Sequence, residues 1–138
     1  MPFANPSDDV IRDILATPKT VAVVGCSPRP ERDSHEIAAL LQRRGHRMIP
    51  VNPTAGAILG EICYPSLRAV PVPVEMVDVF RRSEEVSAVA DDAIAVDAKI
   101  LWLQLGVIDE AAALRAQAAG LTVVMDRCPA IEYRRLFR

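Results

Sequence analysis

Five short apolar runs, separated by segments with helical spacing, constrain this chain more than any other feature. They are Thr20 to Val24, Arg47 to Val51, Glu75 to Phe80, Ile100 to Leu103 and Leu121 to Met125. Each is rich in β-branched or other apolar residues, as strands are. Three helical patterns lie between them. Ser34 to Arg44 turns Ile37, Leu40 and Leu41 inward and stops at Gly45. Ser83 caps a helix to Val96 whose first turn carries Glu84 and Glu85, which suit the positive end of the helix dipole. Asp109 caps a helix to Ala119 that ends at Gly120. A helix capped by Ser7 or Asp8 and running to Ala16 precedes the first strand, with Val10, Ile11, Ile14 and Leu15 on one face; a short helical tail follows the last. Strand–helix alternation of this kind predicts a parallel sheet with right-handed crossovers, an α/β fold with helices on both faces. Thr54 to Pro73 breaks the pattern. There Leu59 to Leu67 is expected to pass over one end of the sheet, with a helical turn near Ser66 and Leu67.

At 138 residues the chain reads as one domain, 1–138. Hydrophobic residues make up 51% and aromatics only 4%, so the core is mainly Val, Ala, Leu and Ile, which suits strands buried on both faces. A net charge of −2 gives no general affinity for nucleic acid. No apolar run has the length of a membrane span, and the first residues do not read as a secretory signal. Cys26, Cys63 and Cys128 form no paired-cysteine motif and read as reduced thiols of a cytoplasmic protein.

In an open α/β sheet a ligand lies beyond the carboxyl ends of the strands. The five segments that follow the strands carry Gly25, Cys26, Ser27 and Arg29; Asn52, Pro53 and Thr54; Phe80, Arg81 and Arg82; Gln104, Leu105 and Gly106; and Asp126, Arg127 and Cys128. Strand, Gly25 turn and helix start make a phosphate cradle, or a plain turn. Arg29, Arg81, Arg82 and Arg127 would place four guanidinium groups on one rim, a fit for phosphate oxygens. Arg81 and Arg82 could also be a solvated pair, and Arg127 a partner of Asp126. Asp126 itself could cap the last helix. Trp102 reads as core, His46 as an exposed turn residue, and His35 as either a phosphate contact or a capping group near the cradle. Cys26 is either a thiol activated by the helix start or a residue small enough for the turn. The loop lacks the second and third glycines of a dinucleotide fingerprint, and Asn52 stands where NAD enzymes place an acid; both count against NAD. No metal-ligand spacing and no catalytic constellation is evident.

Together Val21 to Pro30, Ile49 to Pro53, Val77 to Ser83, Leu101 to Gly106 and Val123 to Cys128 resemble the CoA-binding domain family, in its small stand-alone branch. The same fold forms the N-terminal domain of the succinyl-CoA synthetase α-subunit. The resemblance implies a Rossmann-like domain with strand order 3-2-1-4-5 and coenzyme A as ligand. Carried onto this sequence, it implies that Gly25, Ser27 and Arg29 line the phosphate-facing loop and that Asn52 and Pro53 border the nucleotide. Phe80, Arg81 and Arg82 would flank adenine and phosphates, and Gln104, Leu105 and Gly106 would border the pantetheine arm or the diphosphate. The synthetase cradle is richer in glycine than this one. The phosphorylated histidine of the synthetases lies in a second domain that these 138 residues are not expected to contain. The expected function is CoA or acyl-CoA binding as a carrier, a sensor or a regulatory module with a protein partner, without catalysis of its own. A component of a split acyl-CoA synthetase and a small NAD(P)-linked oxidoreductase are the alternatives. A mixed disulfide between Cys26 and the CoA thiol is a further expectation.

Overall fold

A computed structural model describes residues 2–137. Its centre is a five-stranded, fully parallel sheet of β1 (Thr20–Val24), β2 (Arg47–Val51), β5 (Met76–Val79), β6 (Ile100–Leu103) and β7 (Thr122–Val124), in the order β2-β1-β5-β6-β7. A small antiparallel pair, β3 (Ala57–Ile58) and β4 (Glu61–Ile62), lies apart. Helices α1 (Asp8–Ala16), α2 (Asp33–Arg43) and α5 (Pro129–Leu136) cover one face; α3 (Val86–Ala95) and α4 (Glu110–Ala118) cover the other.

Alternation along each strand feeds both faces. In β1, Val21 and Val23 pack under α1 and α2, while Ala22 and Val24 pack toward α3 and α4. On the latter side Ala90, Ala93, Ala112, Ala113 and Ala116 are fully buried, and these small side chains let two helices lie close together and close to the sheet. Trp102 is fully buried, as its sequence context predicts, and its indole N–H donates to the Arg127 carbonyl at 2.9 Å.

The arrangement is of the 3-2-1-4-5 type, with one local difference. Met76–Val79, the third long strand in the chain, pairs with β1. The place outside β2 is held by a single parallel bridge, Val51 to Tyr64. The Leu59–Leu67 segment therefore runs along the open edge of β2 instead of over the sheet end: Tyr64 N–H donates to the Pro50 carbonyl and Asn52 N–H to that of Tyr64. It ends in a 3-10 turn at Leu67–Ala69.

Two further expectations are corrected by contacts distant in sequence. His46 is buried, because Tyr133 on α5 reaches it: Nε2 lies 2.9 Å from the Tyr133 hydroxyl and Nδ1 accepts from Lys19 N–H. Ser83 does not cap a helix. It begins a 3-10 turn, Ser83–Glu85, that leads into α3, and its hydroxyl is spent on a neighbouring loop.

Candidate functional site

Between β1 and β5 the chain leaves the sheet in opposite directions. After β1 it turns to α2 on one face, and after β5 to α3 on the other. A crevice opens between two such connections at the carboxyl ends of the strands. Gly25 sits in its floor with φ +86°, and a Cβ there would lie 2.2 Å from the Phe80 carbonyl oxygen. Glycine is thus required twice, by the left-handed backbone and by the close approach of the two strand ends.

Two cavities share Asp33 and Phe80 and form one groove along this rim. The first, about 610 Å³, is lined by Gly25, Ser27, Arg29, Arg32 and Ser34 from the cradle. The loop is held by its own side chains: Ser27 N–H donates to Ser34 Oγ at 2.9 Å, Arg29 N–H to Ser27 Oγ at 3.1 Å, and His35 Nδ1 lies 3.0 Å from the Ser27 carbonyl. His35 thus steadies the loop. The cap position of α2 is Arg32, whose side chain accepts nothing, so no side chain caps this helix, and its first turn carries Asp33 and Glu36.

The second cavity, about 670 Å³, is lined by Arg81, Arg82, Gln104, Leu105, Gly106 and Val107, and by Cys128, Ile131 and Arg134 from α5 and its approach. Its wall is the Gln104–Ile108 loop. Val107 N–H closes a turn onto the Gln104 carbonyl at 2.8 Å. Ser83 Oγ accepts from Ile108 N–H at 2.9 Å, and Asp126 Oδ1 from Gly106 N–H at 2.7 Å. The segments after β5, β6 and β7 are thereby tied together, and Asp126 serves this loop while Cys128 holds the cap position of α5. Leu105 and Ile131 are exposed apolar side chains at this cavity.

The rim carries acids too, with Glu31, Asp33 and Glu36 among its lining residues. Among the described residues Arg29, Arg32, Arg81 and Arg134 enter no ion pair, whereas Arg82 faces Glu84 at 3.5 Å and Glu85 at 3.9 Å.

Of the thirteen residues singled out in the sequence, Gly25, Ser27, Arg29, Phe80, Arg81, Arg82, Gln104, Leu105 and Gly106 line the groove. The other four line neither cavity. Asn52 stands behind the cradle, donating to the Cys26 carbonyl at 2.9 Å and accepting from Thr54 N–H and hydroxyl. Pro53 is exposed. Arg127 is engaged by buried Glu132 at 3.6 Å and by the Asp126 carbonyl. Cys26 is fully buried, and desolvation, with Cys63 and Asp78 adding to it, pushes its thiol up to about 12. Cys26 thus has neither the lowered thiol nor the exposure that activation or a mixed disulfide calls for. The half-buried thiol in the groove is Cys128.

The sequence reading missed Arg32 and the α5 residues Ile131 and Arg134, since nothing local shows that α5 packs beside α2. It also missed Asp78, which is fully buried on the central strand β5 and accepts from Gln104 Nε2 at 2.6 Å. Burial pushes its carboxyl up to about 7, against the opposing effect of the Gln104 bond. Among the described residues no cluster of three metal-ligating side chains is present, and no helix is long and apolar enough to cross a membrane.

Residues 19–134 match the family described as CoA binding domain. The chain belongs to this family. Among its relatives, an uncharacterized protein of Bacillus subtilis (strain 168), YneT, is 42% identical over 124 residues, 90% of this chain and 92% of that protein. A hypothetical protein from Pyrococcus horikoshii OT3 is 36% identical with a TM-score of 0.93, covering 100% of this chain and 97% of its own. The dinucleotide forming acetyl-coenzyme A synthetase 1 of Ca. Korarchaeum cryptofilum, solved in complex with phosphate and ADP, is 27% identical with a TM-score of 0.71. It matches over 87% of this chain, which corresponds to 28% of the synthetase. The groove just described thus lies on a Rossmann-like α/β unit of this family.

Proposed function

We propose that this protein binds coenzyme A or an acyl-CoA in the rim groove and serves in the cytoplasm as a carrier, sensor or regulatory module without catalysis of its own. The observation that carries this reading is the pairing of two unlike halves in one groove. The Gly25 cradle offers a helix start and the free guanidinium groups of Arg29 and Arg32, which suit phosphates. The adjoining half offers Leu105, Val107 and Ile131 beside Gln104 and Arg81, which suit a longer arm with amide groups or an adenine ring. Gly25, Ser27, Arg29, Phe80, Arg81, Arg82, Gln104, Leu105 and Gly106 are the contacts assigned here. Asn52 and Cys26 act behind the cradle, through the Cys26 carbonyl.

The likeness to just over a quarter of a synthetase chain favours one second reading, a component of a split acyl-CoA synthetase whose remaining domains reside on a partner. Calorimetric titration of ligand-stripped protein with CoA, NAD and ATP, repeated with Arg81→Ala, tests the ligand class. The expected result is CoA as the tightest ligand, weakened at least tenfold by the substitution, as for loss of a charge-assisted bond of about 1.5–3 kcal/mol. NAD binding without CoA binding would overturn the reading in favour of an oxidoreductase. Co-purification with an ATP-binding chain that restores CoA ligation would establish the second.

A further inference from the structure

Among the described residues, one fully buried side-chain polar atom has no partner: Asp78 Oδ2. Asp78 lies on the α2 side of the central strand, opposite Trp102 and Val23 in register, surrounded by apolar side chains. A carboxyl in such a place is costly, and its other oxygen, Oδ1, has one partner, the Nε2 of Gln104 at 2.6 Å. Gln104 is itself only 5% exposed, yet it lines the second half of the groove. Its Oε1 accepts no hydrogen bond from the described residues and is not among the fully buried unpaired atoms, so it is the acceptor the amide presents to the cavity.

The chemistry explains why the amide faces this way. Whether the carboxyl is ionised or carries its proton on the unpartnered Oδ2, Oδ1 can only accept and must receive the NH2 end, which leaves the carbonyl end for the groove. Without Asp78 the two ends of the amide would be nearly equivalent in an apolar wall. The other titratable neighbour, Cys26, has its thiol held in the protonated form by burial and cannot take over that role.

We propose that Asp78 and Gln104 form a positioning couple that presents one oriented acceptor, Gln104 Oε1, and thereby selects a ligand segment carrying an N–H donor. This rests on the CoA reading above, where two groups supply such a donor: the secondary amides of the pantetheine arm and the amino group of adenine. Asp78 touches no ligand and acts through Gln104.

The test is titration of wild type, Gln104→Met and Asp78→Asn with CoA, with pantetheine and with ADP. Methionine keeps the volume and removes the acceptor; asparagine can donate as well as accept and no longer dictates which end of Gln104 faces the groove. Both variants are expected to lose about tenfold in CoA affinity. Loss toward pantetheine but not ADP places the donor on the arm; loss toward ADP but not pantetheine places it on adenine. Equal loss toward both fragments would mean a merely structural role and overturn the proposal, as would unchanged CoA affinity in either variant. Failure of wild type to bind CoA would overturn the CoA reading and this inference with it. Should Asp78→Asn not fold, the Gln104 side-chain NH2 resonances of wild type decide: one proton shifted downfield by the short bond is expected, and its absence overturns the couple.

Discussion

Gly25→Ala is the sharpest perturbation of the groove. Two costs fall on one methyl group. The backbone at Gly25 has φ +86°, a conformation that costs a residue with a Cβ about 1–2 kcal/mol. The new Cβ also starts 2.2 Å from the Phe80 carbonyl oxygen and needs about 1.2 Å more to reach the 3.4 Å of ordinary contact. Phe80 cannot easily yield, because its N–H is bonded to the Val24 carbonyl at 2.8 Å and Gly25 N–H is bonded to that of Val51 at 2.9 Å. Overpacking of this kind adds about 1–3 kcal/mol, for a combined loss of about 2–5 kcal/mol. Gly120→Ala isolates the first cost, since Gly120 has φ +102° and nothing within 4 Å of a built Cβ. Urea unfolding of both variants, with unchanged slope, reads the difference as a shift in midpoint. Gly25→Ala is expected to be the less stable by about 1–3 kcal/mol and to bind CoA more weakly, because the cradle moves with Phe80. If the two variants unfold at the same midpoint, the close approach carries no energy and the account of the cradle is wrong.

Four other outcomes follow from groups in the core and at the groove. Asp78 has a folded-state value of about 7 against 3.8 unfolded, so its contribution to stability is complete below about pH 4 and is lost as pH rises through 7. Relative to wild type, Asp78→Asn should remove a downward slope of up to about 1.4 kcal/mol per pH unit between pH 5 and 6.5, and parallel profiles would refute this. Burial lowers His46 below its usual 6.5, so His46 acts the opposite way, with stability falling as pH drops below that value; a neutral substitution at His46 should flatten that acid limb. Tyr133→Phe removes the hydroxyl between His46 Nε2 and the Leu15 carbonyl and should cost about 2–4 kcal/mol in chemical denaturation, with less than about 0.5 kcal/mol counting against the network. Cys128 should be the thiol alkylated first in native protein, and CoA should slow it; faster reaction at Cys26 or Cys63, as located by peptide mass mapping, would contradict the burial described.

Much of the scaffold is written locally. Thr20–Val24, Arg47–Val51 and Ile100–Leu103 have the expected bounds, because mainly apolar runs between turn residues leave few alternatives. Ser7 and Asp109 cap their helices as their placement suggests. The cradle was legible for the same reason, as a glycine stop between a strand and a helix. What could not be read depends on residues far apart in the chain. His46 looks like a turn residue until Tyr133, 87 positions later, closes over it. Arg127 looks like a rim cation until Glu132, buried between α5 and its neighbours, draws it away. The strands β3 and β4 are two residues each, too short for any periodicity to announce them. A lone aspartate in Met76-Val77-Asp78-Val79 carries no local sign that its carboxyl is met by the glutamine at the end of the next strand.

The central claim is where the ligand sits. Backbone amide shifts of 15N-labelled protein, followed as CoA is added, test it most directly. The account predicts that the largest changes fall on Gly25, Ser27, Phe80 to Arg82 and Gln104 to Val107, with little change in the hollow between α2 and α5 around Leu40, Arg43 and Arg44. Changes concentrated in that hollow, with the Gly25 and Gln104 loops unmoved, would contradict it.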